Sequence, residues 1–403
     1  MSQSYAFRAV DGLGAKVKGE VEADTPAAVV DLLRGRGMLA LEVKLKGNSL
    51  DLSTDLLVRV KLEDLALMTR QLSTMISSGL PLMRALVVLE AQTENSRLKA
   101  TVVAVRQQIE AGASLSSALA RHPKVFSPLF VSMIRAGETG GFLEDALLRI
   151  ADQLESQNRL RRQVRGAMVY PIVVTLIAVG VLCAMLIFII PVFSGVFKQF
   201  GGHLPSLTSH TIAASKLLQH RWYAFVIGVP LVVLAFRRWK SSSGGRPVWD
   251  RVKLKAPLKI GSIVRKIALA RWSRTLASLV SAGVPMLEAI DVTGHTAGNA
   301  VVESAMTAVR DSVQGGGTIA AALGSEPIFP ALVTNMVRVG EETGALDSTL
   351  AKVADFYEEQ VEVAVKALTS ILEPIMIMFV GGIVGFMIIA MYLPLFDLYN
   401  AIK

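Results

Sequence analysis

The chain has one cysteine, Cys183, so no intrachain disulfide can form. Cys183 lies inside an apolar segment, where a thiol behaves as a small hydrophobe. Histidine is almost as scarce, with five among 403 residues. His203, His210 and His220 share one stretch but are spaced too widely for a convincing ligand set. There is no G-x-x-x-x-G-K-[ST] phosphate loop, no H-E-x-x-H and no paired Cys or His at metal spacing. The chain is therefore not expected to hydrolyse nucleotide, to bind a metal or cofactor, or to be an enzyme. The start, MSQSYAFRAV, lacks an apolar core, so no cleavable signal peptide is expected.

What is present is apolar and basic. Hydrophobic residues make up 52% of the chain and are concentrated in blocks. The net charge is +9, with the basic residues clustered beside those blocks. Juxtamembrane arginines have a topological role, so no nucleic-acid partner is inferred from them.

One helical cassette occurs twice. TRQLSTMISSGLPLMRAL begins at Thr69 and SRTLASLVSAGVPMLEAI at Ser273. Arg70 answers to Arg274, Gly79 to Gly283 and Pro81 to Pro285. The offset shortens by one residue between Pro123 and Phe126, which answer to Pro327 and Phe329. It then holds through Gly137-Glu138 with Gly340-Glu341, Gly141 with Gly344, and Pro171 with Pro374. A register kept this long marks a duplicated structural unit.

Each copy runs into a membrane-length apolar segment. PIVVTLIAVGVLCAMLIFIIPV from Pro171 and ILEPIMIMFVGGIVGFMIIAMYLPLF from Ile371 have no polar face, and about 20 such residues cross a bilayer core. A shorter run, WYAFVIGVPLVVLAF from Trp222, has Trp222 and Trp239 at its borders and arginines Arg221 and Arg237 placed to snorkel. Read alone it fits a buried soluble helix too. The duplication favours a span, because both copies feed the membrane in the same direction and need a return crossing. Arg159, Arg161, Arg162 and Arg165 precede the first run, and Arg237, Arg238, Lys240, Arg246 and Arg251 follow the second. The positive-inside rule then puts the N-terminus and both copies in the cytoplasm.

The expected fold is an all-α membrane protein: two duplicated cytoplasmic helical bundles with three transmembrane helices, plus a small N-terminal α+β module. In residue numbers the module is 1–46, a linker 47–61, bundle one 62–168, and the first span 169–193. An extracytoplasmic loop 194–221, a second span 222–236 and a basic cytoplasmic linker 237–265 follow. Bundle two is 266–369, the third span 370–396 and an extracytoplasmic tail 397–403. In the module, YAFRAV and VKGEVEA around Asp11-Gly12 and Gly14 read as a hairpin, and Thr25-Pro26 starts a helix. In bundle one, helices are expected at 62–78, 82–92, 97–111, 114–121 and 128–136, with a long helix from Phe142 into the membrane. Leu65, Met68, Leu72, Met75 and Ile76 give the first of them a single buried face.

Gly137-Glu138 and Gly340-Glu341 close a helix just before the next begins. One reading is structural, a left-handed cap and a carboxylate near a helix start. The other makes them, together with Glu358, Glu359 and Glu373, contact points for a partner. Glu373 opens the last span, where a charge either stays at the interface or pairs with a partner helix. Gly79, Pro81, Gly283, Pro285, Pro171 and Pro374 are structural punctuation. Gly381 and Gly385 have the spacing of close helix packing.

These motifs, with AGETGGFLEDAL, QVRGAMVYP, FKQFGGHLPSLT, VGEETGALDSTL, FYEEQVE and LEPIMIM, cover essentially the whole chain. The pattern resembles the inner-membrane platform proteins of type IV pilus assembly and type II secretion, the PilC and general secretion pathway protein F family. The resemblance implies a non-enzymatic platform that couples a cytoplasmic hexameric ATPase to pilin or pseudopilin filaments. It also implies other inner-membrane assembly proteins as partners, a homo-oligomer, and contact with membrane lipids of the bacterial inner membrane. MYLPLF and FYEEQVE are closer to the pilus branch. Some secretion relatives hold a divalent cation in the first bundle. Glu94 and Asp152 correspond here, but Leu148 stands where another carboxylate is expected, so no metal is predicted. The alternative is a component of a polytopic transporter, disfavoured by spans almost free of polar residues.

Overall fold

The computed structural model describes residues 3–10, 16–23, 26–35, 37–45, 58–192, 206–257 and 259–401. The chain opens with strands β1 (Gln3–Val10) and β2 (Lys16–Ala23), helix α1 (Pro26–Gly35) and strand β3 (Leu39–Leu45). The sheet is antiparallel in the order β2-β1-β3, with Tyr5 opposite Val21 on one side and Leu45 on the other. Val29 and Leu33 of α1 are buried against Val21, Met38 and Ala40. The Asp11-Gly12 turn and most of the 47–61 linker lie outside the described residues.

The first bundle comprises α2 (Leu62–Ser77), α3 (Leu82–Gln92), α4 (Ser96–Glu110), α5 (Leu115–Ala120) and α6 (Pro128–Gly140). Leu65, Met68 and Leu72 point inward, and fully burying one such side chain stabilises by about 1.5–3 kcal/mol. Asn95, Ser114 and Ser127 cap α4, α5 and α6 by accepting amide protons of the first turn. The α2–α3 turn needs Gly79 at φ +80, a left-handed conformation that costs other residues about 1–2 kcal/mol. Gly283 at φ +68 serves the matching turn, and Pro81 and Pro285 start the following helices.

Helix α7 (Leu143–Ala184) leaves the bundle without a break. It passes through Pro171, whose carbonyl accepts from the Thr175 hydroxyl at 2.7 Å, and continues through a π turn at Met185–Ile189. Residues 206–221, expected as part of a loop, instead hold α8 (Ser206–His220). Thr208 donates to the Ala390 carbonyl at 2.8 Å and Gln219 to Ile187 at 2.9 Å, so this helix is fastened to the apolar ones by carbonyls that helix bonding leaves accessible. The middle apolar run is α9 (Trp222–Ser241), with Val226, Ile227, Val229, Leu231, Val232 and Leu234 all exposed.

Helix α10 (Gly245–Leu254) leads to the second bundle: α11 (Ile260–Ser281), α12 (Met286–Thr296), α13 (Ala300–Gln314), α14 (Ile319–Gly324) and α15 (Ala331–Thr343). Buried Asp250 fixes α10 in place by accepting from the Ala300 amide at 3.0 Å and from Lys253 at 2.6 Å. The last element, α16 (Leu346–Ala401), is one helix of 56 residues that joins bundle two to the final apolar run. Among the described residues two helices are long and apolar enough to cross a membrane, Leu143–Val192 and Leu346–Ala390. The buried apolar residues of both bundles form one continuous cluster, with Trp272 fully buried 4.8 Å from Phe329.

Candidate functional site

The duplication extends to individual polar contacts. In bundle one the Arg70 guanidinium donates to Glu155 at 2.7 Å and 2.8 Å and also to Asp152. In bundle two Arg274 donates to Glu358 at 2.9 Å and also to Asp355. The hydrogen bonds that Arg70 donates, first to Glu155 and then to Asp152, raise its pKa above the ordinary value. For Arg274 burial pulls the other way, but Glu358 and Asp355 together still raise it. These acid pairs were missed in the sequence, although their signal is there: Asp152 and Glu155 keep the same register to Asp355 and Glu358 as the glycines do.

Gly137, Glu138, Gly340 and Glu341 do not close their helices. Both helices run on through these residues and end at Gly141 and Gly344. Glu138 reaches across the bundle to the start of α5, where it accepts from the Leu115 and Ser116 amides, the latter at 2.9 Å. Glu341 does the same for α14, accepting from Ile319 at 2.6 Å and Ala320 at 2.8 Å. A carboxylate on two amides at a helix start meets both unpaired donors and the positive end of the dipole. The glycines beside them are buried because α6 and α15 approach the next helix there. A Cβ on Gly137 would sit 2.7 Å from the Ala146 Cβ, and one on Gly340 would sit 2.9 Å from the Leu346 Cα. These four residues thus face their own bundles.

Glu358 lies where the two bundles meet. Besides Arg274 it accepts from Ser156 at 2.9 Å and lies 3.4 Å from Arg159, both in bundle one, with its side chain only 11% exposed. The same interface holds Gln153 against Thr275 and Ser278, Arg149 on Ser281, Ser132 on Glu288 and Gln163 on Glu362. A cleft of about 880 Å³ opens beside it, flanked by Glu63, Arg149, Arg162, Arg274 and Asp355. Glu359 and Glu373 are exposed. Asp152 is held by Arg70, and among the described residues no group of three His, Cys, Asp or Glu is placed to hold a metal ion.

The two long helices run side by side and in the same direction. Leu160 packs with Val361 and Val365, Gln163 meets Glu362, and Thr175 reaches Met376. A second cavity, of about 690 Å³, lies among the apolar helices between Leu186, Ala214, Phe379 and Gly382.

A family model described as type II secretion system protein F matches residues 68–191 and again 272–394, so one model recognises both copies. The N-terminal domain model of the same protein matches residues 1–44. The type IV pilus assembly protein PilC of Thermus thermophilus is 42% identical over 403 residues, 99% of each chain. The PilC of Myxococcus xanthus is 39% identical over 99% of this chain and 96% of its own. The type II secretion system protein F of Vibrio cholerae is 31% identical over 98% of each. With two matched copies and relatives aligned from end to end, the chain belongs to the type II secretion system protein F family.

Proposed function

We propose that this chain is a non-enzymatic platform of the bacterial inner membrane that couples a cytoplasmic secretion ATPase to the assembly of pilin or pseudopilin filaments. The observation that carries the reading is the pair of fused bundles, each continuous with a long apolar helix, the two helices parallel. Movement imposed on a bundle passes without a break into the membrane segment. The names of the relatives, pilus assembly and type II secretion proteins, support the same role. In this reading the module 1–46 and both bundles (62–168 and 266–369) are cytoplasmic, and the spans are 169–193, 222–236 and 370–396. The exposed apolar side chains of α9 from Val226 to Leu234 support the middle span. Arg161 and Arg165 meet the inner-leaflet lipids, while Arg159 faces Glu358 and Arg162 faces Glu63. The exposed carboxylates Glu359 and Glu373 are the remaining candidates for partner contact.

Two measurements test it. A reporter active only outside the cytoplasm is expected to work when fused near Gly202 and to fail near Gly244. Activity at Gly244 would remove the middle span. Full-length protein in detergent is expected to co-purify with a secretion or pilus ATPase of the same cell, and no association with any such ATPase would remove the coupling role.

A further inference from the structure

Helix α10 is amphipathic the wrong way round for a helix packed on a soluble domain. Arg246, Asp250 and Lys253 share one of its faces by helical spacing. That face meets bundle two: Arg246 pairs with Glu303 at 2.9 Å, and Asp250 accepts from the Ala300 amide at 3.0 Å. The opposite face carries Val248, Arg251 and Val252, with Lys255 just past the helix end. Val248 is 47% exposed and Val252 52%, and Arg251 and Lys255 are exposed as well. A surface helix ordinarily puts its apolar stripe on the core and its charges in water. Here the carboxylate is buried and the valines are bare.

The depth of α10 is set by α9. Trp249 meets Phe236 edge-on with ring centroids 4.9 Å apart, and Lys240 and Lys253 lie 5.8 Å and 5.9 Å from the Trp249 ring. Phe236 ends the middle apolar run, directly before Arg237, Arg238 and Trp239. Tryptophan among basic residues is the composition of the headgroup level of a membrane. At that level, with bundle two on one side of α10, the bare face on the other side meets lipid. Its charge suits an anionic surface. From Arg237 to Lys266 the one acidic residue is Asp250, which is buried and paired with Lys253. No other carboxylate of this stretch competes for Arg251 and Lys255.

We propose that α10 is an interfacial helix. Val248 and Val252 sink into the acyl boundary of the inner leaflet, and Arg251 and Lys255 hold the phosphates of anionic lipids. Asp250 and Arg246 tie the other face of α10 to α13, so the leaflet fixes the position of bundle two, more firmly the more anionic it is. The proposal rests on the reading of α9 as a span with α10 on its cytoplasmic side.

Fluorescence quenching of the full-length protein in vesicles tests it. Single cysteines in a Cys183→Ser background are labelled with bimane and challenged with phospholipid carrying a nitroxide at the top or the middle of its acyl chain. Val229→Cys marks the span, Val252→Cys the bare face of α10, and Ser348→Cys an exposed position about 33 Å before the last span. The first two labels are expected to be quenched and the third is not. Quenching at Val252→Cys is expected to be at least about twofold stronger with phosphatidylglycerol in the vesicles than with phosphatidylcholine alone. Arg251→Glu with Lys255→Glu, both at exposed positions, is expected to abolish that difference. A label at Val229→Cys that escapes quenching removes the span, and the proposal with it. Quenching at Val229→Cys but not at Val252→Cys overturns the proposal alone, because the bare face then meets water or another protein. Quenching at Val252→Cys that ignores both phosphatidylglycerol and the charge reversal overturns the hold on anionic headgroups.

Discussion

Arg274 and Glu358 form the same pair as Arg70 and Glu155, yet only the second-bundle pair is shared with the other bundle. The Glu358 side chain is 11% exposed and that of Glu155 is 48%. The same motif therefore differs in energetic weight according to what covers it.

Arg274→Ala strands a largely buried carboxylate and is expected to cost about 3 kcal/mol. Arg70→Ala leaves its acids in solvent and is expected to cost no more than about 1 kcal/mol. Thermal unfolding of the two variants side by side checks the difference. Equal losses would mean that the bundle interface gives Glu358 no special cover.

Glu138→Gln and Glu341→Gln each weaken a charge-assisted double cap and are expected to lower stability by about 1–3 kcal/mol. Lysine at either site adds repulsion with the helix start and is expected to reduce protein level in the membrane. Normal levels with lost filament assembly would instead point to a partner contact at these residues.

Gly137→Ala and Gly340→Ala place a methyl against the following helix, at an expected cost of about 1–3 kcal/mol from overpacking. Gly381→Ala, whose Cβ meets nothing within 4 Å, is the control and is expected to be neutral. Denaturation midpoints separate them.

Asp250 supplies a pH dependence. Burial works to raise its pKa, but the hydrogen bonds from Lys253 and the Ala300 amide hold it below the ordinary 3.8. A carboxyl depressed on folding stabilises fully above its unfolded pKa and loses that contribution as pH falls through the folded one. Asp250→Asn is thus expected to lower the thermal midpoint at pH 7 and to converge with the parent protein only as the pH falls below 3.8 and through the depressed folded pKa. A constant gap through that range would place the effect elsewhere.

With no phosphate loop in the chain, purified protein is expected to bind ATP no better than a nucleotide-free control. Saturable micromolar binding to this chain alone would contradict the platform reading.

The bundles were legible in the sequence because their signals are local and repeated. Expected helices at 62–78 and 82–92 are found at Leu62–Ser77 and Leu82–Gln92, bounded by the Gly79 turn. The role of Glu138 was not legible. A residue's place near a helix end says nothing about which amides another turn of chain, more than twenty residues earlier, will bring to it. Nor was the contact between the bundles: Gln153 and Phe356 hold matching places in the repeat, yet the polar residue is the buried one and the aromatic one is exposed. The helix Ser206–His220 was hidden behind the Gly201-Gly202 and Pro205 signals, which dominate a local reading.

The 56-residue helix α16 has a mechanical consequence. At 1.5 Å per residue it is a lever of about 84 Å. Bundle two grips its first two-fifths, through residues such as Leu350, Tyr357 and Val365. A tilt of about 5° at that grip sweeps the far end, about 50 Å further on, through about 4 Å, most of one helical turn of 5.4 Å. A small reorientation in the bundle is thereby geared up into a displacement that approaches the step between successive helix turns.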